Sequence, residues 1–319
     1  MDSDMLDVLD RQLLHALQLD ARAPFSKIAD ILDVSDRTLA RRYGRLRSTR
    51  AARITTALNS RRTGHAEWLV RLRLPPDATA GVARVLAARP DTAWVTPLSS
   101  GTELVLLLRT ANGGPAPLEP LARHPQILHV DAQRLLRHLK DRPWLGRTSA
   151  LTPDQIAALT PHYPLISTSE PAQLTDFDRR LLAALAADAR VGYPTLARTV
   201  GWSESAVRRR LEELRRSLIL RFDVEIDPIR LGFTEQCLLW LSVAPTNLVD
   251  VSRTLIGDPE TAFVGATTGT HNLFVIIVCR NADELFDYVS YRIGALDGVD
   301  RMESAPVVRY AKRFAPPPA

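Results

Sequence analysis

The chain is 319 residues long, 45% hydrophobic and 24% charged, with a formal net charge of +5 and a pI near 9.5. At roughly 100–200 residues per domain this length calls for more than one compact unit, and the apolar-to-charged balance excludes a disordered or fibrous chain. No apolar run reaches the roughly 20 residues of a membrane helix, and the acidic opening MDSDMLDVLD is unlike a signal peptide, so no membrane partner and a cytoplasmic location are expected.

In chain order, Leu6, Leu9, Leu13, Leu14 and Leu17 make a helical stripe that predicts a helix over 7–19. A second short helix is expected over 26–32. A tight turn at Asp33-Val34 follows, and Ser35 is placed to cap a third helix over 36–48 by accepting a backbone N–H. Three short helices with that turn are the helix-turn-helix pattern. With Leu39, Tyr43 and Leu46 turned to the core, Arg37, Arg41, Gly44, Arg45 and Ser48 occupy the opposite face, which is cationic.

An apolar run from Trp68 to Leu74 comes next, then a helix opening at Pro76-Asp77, a strand near 92–98, a turn at Ser100-Gly101, a strand near 103–109, a helix over 116–123 and a strand over 127–137. That order is βαββαβ, an antiparallel sheet with both helices on one face. Residues 141–173 carry Pro143, Pro153, Pro161, Pro164 and Pro171 and read as a linker with one short helix at 153–160.

The whole unit is then repeated. Residues 6–64 align with 174–232 at a constant offset of 168 without a gap, and nineteen of the 59 positions are identical, among them Asp10/Asp178, Arg22/Arg190, Ser35/Ser203, Arg41/Arg209 and Arg42/Arg210. Downstream, TAWVTPLSSGTELVLLLR parallels TAFVGATTGTHNLFVIIV, and the second copy's elements are expected at 235–243, 247–257, 260–267, 272–279, 282–293 and 298–310. The expected fold class is therefore α+β: two tandem units, each a winged helix-turn-helix followed by a βαββαβ ferredoxin-like domain. Its boundaries are 1–64, 65–140, a linker over 141–173, 174–232 and 233–319. LVLLL and LFVIIV carry apolar residues on both strand faces, so the two sheets are expected to cover each other in an intramolecular pseudo-dimer, with further homo-oligomerisation open.

A helix that enters a major groove needs donors near its N-terminal end for base edges and phosphates, and guanidinium forks suit both. Ser35, Arg37, Thr38, Arg41, Arg42 and Arg45 fill that need in copy one, and Ser203, Ser205, Arg208, Arg209 and Arg216 in copy two. Glu212 and Glu213 make the second helix less basic, so the two copies are expected to grip double-stranded DNA unequally. The competing reading is a solvated face in a chain whose positive charge is nearly all Arg, with Lys only at Lys27, Lys140 and Lys312. Cys237 and Cys279 lie in apolar runs without CxxC or Cys/His spacing and read as buried free thiols, so no metal site is expected.

Taken together, DRRLLAALAADARVGYPTLARTVGWSESAVRRRLEEL, the following RFDVEIDPIRLGF and the TGTHNLFVII stretch resemble the leucine-responsive and asparagine-responsive regulators, the Lrp/AsnC family. DRQLLHALQLDARAPFSKIADILDVSDRTLARRYGRL carries the same resemblance in copy one. The resemblance implies a sequence-specific DNA-binding transcription regulator without cofactor or catalytic residue, in which an amino acid or other small metabolite acts as effector. The family's ligand site lies near the turn between the second and third strands, which here maps to Gly101, Thr102 and Glu103 and to Gly269, Thr270 and Asn272. Neither copy carries the Asp of the family's Gly-x-x-Asp-like pattern there, and a purely structural turn glycine is the alternative. The Gly common between recognition helix and wing is absent from both copies. Siroheme decarboxylases share this architecture and supply an enzymatic alternative, for which His65, His124, His129, His138 and His271 form no repeated pair; a nonspecific architectural DNA binder is the other.

Overall fold

The computed structural model describes residues 6–111, 114, 118–140, 150–161 and 174–313. These fall into two compact units that do not follow the order of the repeats: 6–64, 150–161 and 174–231 form one, and 65–140 with 232–313 form the other. Both helix-turn-helix segments thus share a unit, as do both α/β segments, while the chain alternates between the two.

In the helical unit, copy one contributes α1 (Val8–Leu19), α2 (Phe25–Leu32), α3 (Asp36–Ser48) and β1 (Ala52–Leu58). In the other unit its α/β segment runs β2 (His65–Arg73), α4 (Pro76–Ala88), β3 (Thr92–Leu98), β4 (Glu103–Ala111), α5 (Glu119–Ala122) and β5 (His129–His138). The helix expected over 116–123 is thus a single turn among the described residues, because Pro120 and the absence of a long apolar stripe leave only Leu121 to bury. The helix in the linker is α6 (Pro153–Leu159), started by a capping box between Thr152 and Gln155. It packs on α1 and α2, buries Leu159 and donates from Gln155 Nε2 to the Ile31 carbonyl at 3.3 Å.

Copy two repeats the order with α7 (Asp176–Ala187), α8 (Tyr193–Val200), α9 (Glu204–Arg216) and β6 (Leu220–Ile226), then β7 (Glu235–Val243), α10 (Leu248–Gly257), β8 (Thr261–Thr267), β9 (Leu273–Cys279), α11 (Ala282–Asp287) running into a π-helical turn at Tyr288–Ile293, and β10 (Val299–Pro306). The wing strands find their partners across the copies: β1 pairs antiparallel with β6, Ala52 opposite Ile226 through Leu58 opposite Leu220.

All eight remaining strands form one sheet in the order β10-β7-β9-β8-β5-β2-β4-β3. Each copy keeps the split βαβ arrangement, and β5 joins β8 through Leu135, Arg137 and His138. At the far ends, bridges from Val307 to Leu98 and from Lys312 to Val95 tie the segment after β10 to the edge strand β3. Two lysines repeat this exchange. Lys140, just past β5, donates to the Thr261 carbonyl of copy two, and Lys312 donates to the Arg89 carbonyl at 2.7 Å and to Thr92 Oγ1 at 3.2 Å in copy one. Burial pulls both ammonium groups below the usual lysine range.

Side chains alternate across the strands and build three cores. One lies between the sheet and α4, with Val70, Leu72, Leu86 and Leu104; one lies under α10 and α11, with Leu239, Leu255, Val275 and Tyr288. The third joins the second faces of the two copies, where Trp94, Leu98 and Leu107 meet Leu238, Trp240 and Phe274. Cys237 and Cys279 are buried free thiols.

Candidate nucleic-acid interface

The geometry of α3 and α9 follows from three repeated positions. Leu39, Tyr43 and Leu46 are buried in one head, and Val207, Leu211 and Leu214 in the other, which fixes the opposite stripe outward. The preceding turn needs a left-handed residue, supplied by Asp33 at φ 53 in copy one and by Gly201 at φ 73 in copy two. Each helix is then capped by serine: Ser35 Oγ accepts from the Thr38 N–H at 3.1 Å, and Ser203 Oγ from the Ala206 N–H at 3.3 Å. Ser35 also bonds the Thr38 hydroxyl at 2.8 Å and Ser203 the Ser205 hydroxyl at 3.1 Å, so these four residues set the helix starts.

The arginines divide into anchored and open groups. Asp10 of α1 is 1% exposed and accepts from Arg42 at 2.9 Å and from Arg45, while Asp7 accepts from Arg42 at 2.5 Å. In copy two the equivalent Asp178 is 0% exposed and takes both prongs of the Arg210 fork, at 2.8 and 2.9 Å. Burial alone raises the Asp178 pKa, but the Arg210 fork and the Thr175 cap outweigh it and hold the carboxyl below its usual range. Arg42, assigned to the groove from sequence, is therefore turned toward α1, because a buried carboxylate must be paired. Arg45 shares that carboxylate but remains half exposed. Arg208 pairs with Glu204 at 3.1 Å and lies over the Tyr193 ring at 4.1 Å. Arg216, in the last turn of α9, is half-buried, where its charge complements the helix dipole. Arg37, Arg41 and Arg209 are exposed, and among the described residues nothing holds their guanidinium groups.

The two heads meet through contacts that repeat at the offset of 168. Arg22 donates to the carbonyls of Ala189 and Val191 at 2.6 and 2.9 Å, and Arg190 returns the same pair of bonds to Ala21 and Ala23 at 2.6 and 2.9 Å. Arg22 lies over Tyr193 and Arg190 over Phe25. Arg47 pairs with Asp188 at 3.3 Å and Arg215 with Asp20 at 2.9 Å. In the β1–β6 ladder Thr55 stands opposite its own repeat equivalent, Asp223. An interface in which residue i meets j and the equivalent of j meets the equivalent of i is isologous, so a pseudo-two-fold axis passes through that pair. Sequence reading singled out Arg22 and Arg190 only as identities; their role lay in the offset between what each donates to.

The effector candidates separate as well. Gly101 sits in the β3–β4 turn at φ 90, Thr102 Oγ1 bonds the Ser99 carbonyl at 2.9 Å, and Glu103 pairs with Arg71 at 2.9 Å. In copy two Asn272 spans the backbone of Val243, accepting its N–H at 2.9 Å and donating to its carbonyl at 2.7 Å. Gly269 and Thr270 line an open cavity of about 650 Å³ with Asp131, Gln133, His271 and Arg301, and β10 adds Glu303. The copies thus meet in this cavity, β5 of one facing the β8–β9 turn and β10 of the other. His271 Nε2 lies 3.6 Å from Glu303, and His138 pairs with the buried Glu67 at 2.5 Å.

Comparison with known proteins agrees with this division. The AsnC-type helix-turn-helix domain matches residues 6–47 and again 174–215, and the Lrp/AsnC ligand binding domain matches 236–317. The HTH-type transcriptional regulator LrpA of Pyrococcus horikoshii is 28% identical over 136 residues, which are 42% of this chain and 96% of the relative. An uncharacterised HTH-type transcriptional regulator of Pyrococcus abyssi is 28% identical over 141 residues, 44% of this chain and 89% of its own. Such relatives are about one repeat long. Among solved structures, the siroheme decarboxylase NirDL aligns over 96% of this chain and 93% of its own with a TM-score of 0.61; at 15% identity that likeness is one of fold.

Proposed function

Because the chain belongs to the Lrp/AsnC family of DNA-binding transcription regulators, we propose that it grips duplex DNA with α3 and α9, through Arg37 and Arg41 on the first head and Arg209 on the second. Arg45, Arg208 and Ser205 flank those contacts. Ser35, Thr38 and Ser203 contribute by fixing the helix starts, and Arg42 and Arg210 by tying the helices to the buried Asp10 and Asp178. The observation that carries this reading is the pairing of exposed, unengaged guanidinium groups with a head-to-head interface that one chain completes by itself. No helix among the described residues is long and apolar enough to cross a membrane.

Replacing Arg41 and Arg209 by Ala will leave the circular dichroism spectrum and melting temperature unchanged, since neither side chain holds anything in the fold. DNA affinity will fall, and each lost phosphate contact will reduce the slope of log K against log salt by about 0.9. Unaltered affinity at matched salt would refute the assignment.

The cavity between β5, the β8–β9 turn and β10 is the effector site in this reading. Its carboxylates, Asp131 and Glu303, and its guanidinium, Arg301, with the His271 ring beside them, suit a small metabolite bearing both charges, such as an amino acid. Calorimetric titration of amino acids into the protein will give a heat of binding that Arg301→Ala removes; identical isotherms for both proteins would rule the cavity out.

A further inference from the structure

The heads are related by a pseudo-two-fold axis, yet they are not copies. Equivalent outward positions on the two recognition helices carry Arg37 and Ser205, Gly44 and Glu212, and Arg45 and Glu213, with Arg41 and Arg209 held in common. Among the described residues, Arg37, Arg41, Glu212 and Arg209 are exposed and unengaged, whereas Ser205 bonds Ser203, and Arg45 and Glu213 pair with Asp10 and Arg210. Arg presents a donor fork that suits the O6 and N7 acceptors of guanine, whereas a Glu at an equivalent place accepts from the cytosine amino group and repels phosphate. The two helices therefore demand different bases from the positions they reach.

The axis arranges those demands. Two helices related by a two-fold meet a duplex as an inverted pair, because the duplex has dyads of its own. The reciprocal Arg22 and Arg190 forks, the Arg47–Asp188 and Arg215–Asp20 pairs and the β1–β6 ladder all hold that relation within one polypeptide. In a dimer of identical chains the two half-sites would be interchangeable. Here they are joined covalently and cannot exchange.

We infer that the target of this chain is an operator of two inverted but unequal half-sites, bound in one polarity, with α3 on one half and α9 on the other. The inference rests on the DNA-binding reading above and adds to it the class of sequence and the direction of binding.

Selection from a random duplex library with the full-length protein tests it. The enriched motif will contain two inverted half-sites that differ in sequence. The same selection with Arg37→Ala will relax base preference in one half only, and with Arg209→Ala in the other half only, because each side chain belongs to a single head. Converting the groove-facing stripe of α3 toward that of α9 with Arg37→Ser and Gly44→Glu will make the motif more symmetric. Gly44 is exposed, and a Cβ there meets nothing within 4 Å, so this variant folds. On the wild-type protein, replacing the weaker half-site by an inverted copy of the stronger one will lower affinity by on the order of ten-fold or more, as expected for one or two wrong base pairs. A perfect palindrome, a direct repeat, a lone half-site, both Arg variants relaxing the same half, or retention of bulk DNA without a motif each overturns the inference while DNA binding stands. Failure to retain any duplex DNA at low salt removes the DNA-binding reading itself.

Discussion

At the scale of single residues, the repeat acts as an internal control, because each position has an equivalent that evolved in nearly the same surroundings. His15 is buried in α1, with its Nδ1 left without a partner, and its equivalent in α7 is Ala183. Burial pushes the His15 pKa below the usual histidine value. The folded protein therefore takes up that proton at a lower pH than the unfolded chain. Between the lowered pKa and about 6.5 the unfolded state binds more protons, so stability drops as the solution is acidified through that window, by up to about 1.4 kcal/mol per pH unit for one group. His15→Ala will cost stability at every pH by loss of packing but will flatten this slope. Equal slopes for both proteins in denaturant titrations from pH 7 to 5 would show that His15 is not the group responsible. Arg50 and Leu218 make a second equivalent pair, at φ 57 and 55, in the corner between recognition helix and wing strand. Neither copy has a glycine at this corner, and both hold the left-handed conformation with a side chain in place.

At the scale of elements, helix boundaries were readable because capping and periodicity agree. The expected helices 7–19, 26–32 and 36–48 are Val8–Leu19, Phe25–Leu32 and Asp36–Ser48. The strands of the α/β segments were also readable, since runs such as LVLLL and LFVIIV are apolar on both faces and cannot stay exposed. What periodicity leaves open is the partner. The strand RFDVEI has the pattern of a wing but no signal that its hydrogen bonds go to a strand 168 residues earlier in the chain. The outward stripe of α3 was equally readable, yet its pattern does not reveal that Arg42 at its margin answers Asp10, because that depends on how α1 crosses α3.

At the scale of the whole molecule, each half lacks what the other supplies. A fragment of residues 1–140 retains every helix and strand of copy one. It leaves β1 without β6, the face bearing Trp94 and Leu107 without Trp240 and Phe274, and β3 without the bridging segment that brings Lys312. An unpaired edge and an uncovered apolar face are sites of association. That fragment will sediment as a dimer or larger assembly, or precipitate, and a well-folded monomer would show that the exchange between copies is dispensable.

The sequence by itself determined the repeat, the order of its elements, the buried stripes of each helix and the surplus of arginine on α3, all of which are set by side-chain spacing along a local backbone. Tertiary structure alone decided which arginines stay exposed and unengaged, that the heads pair with each other, and that the cavity beside Gly269 and Thr270 draws on both copies. Those outcomes depend on which groups, far apart in the chain, come close enough to satisfy a buried charge or a strand edge, and no local pattern encodes that distance.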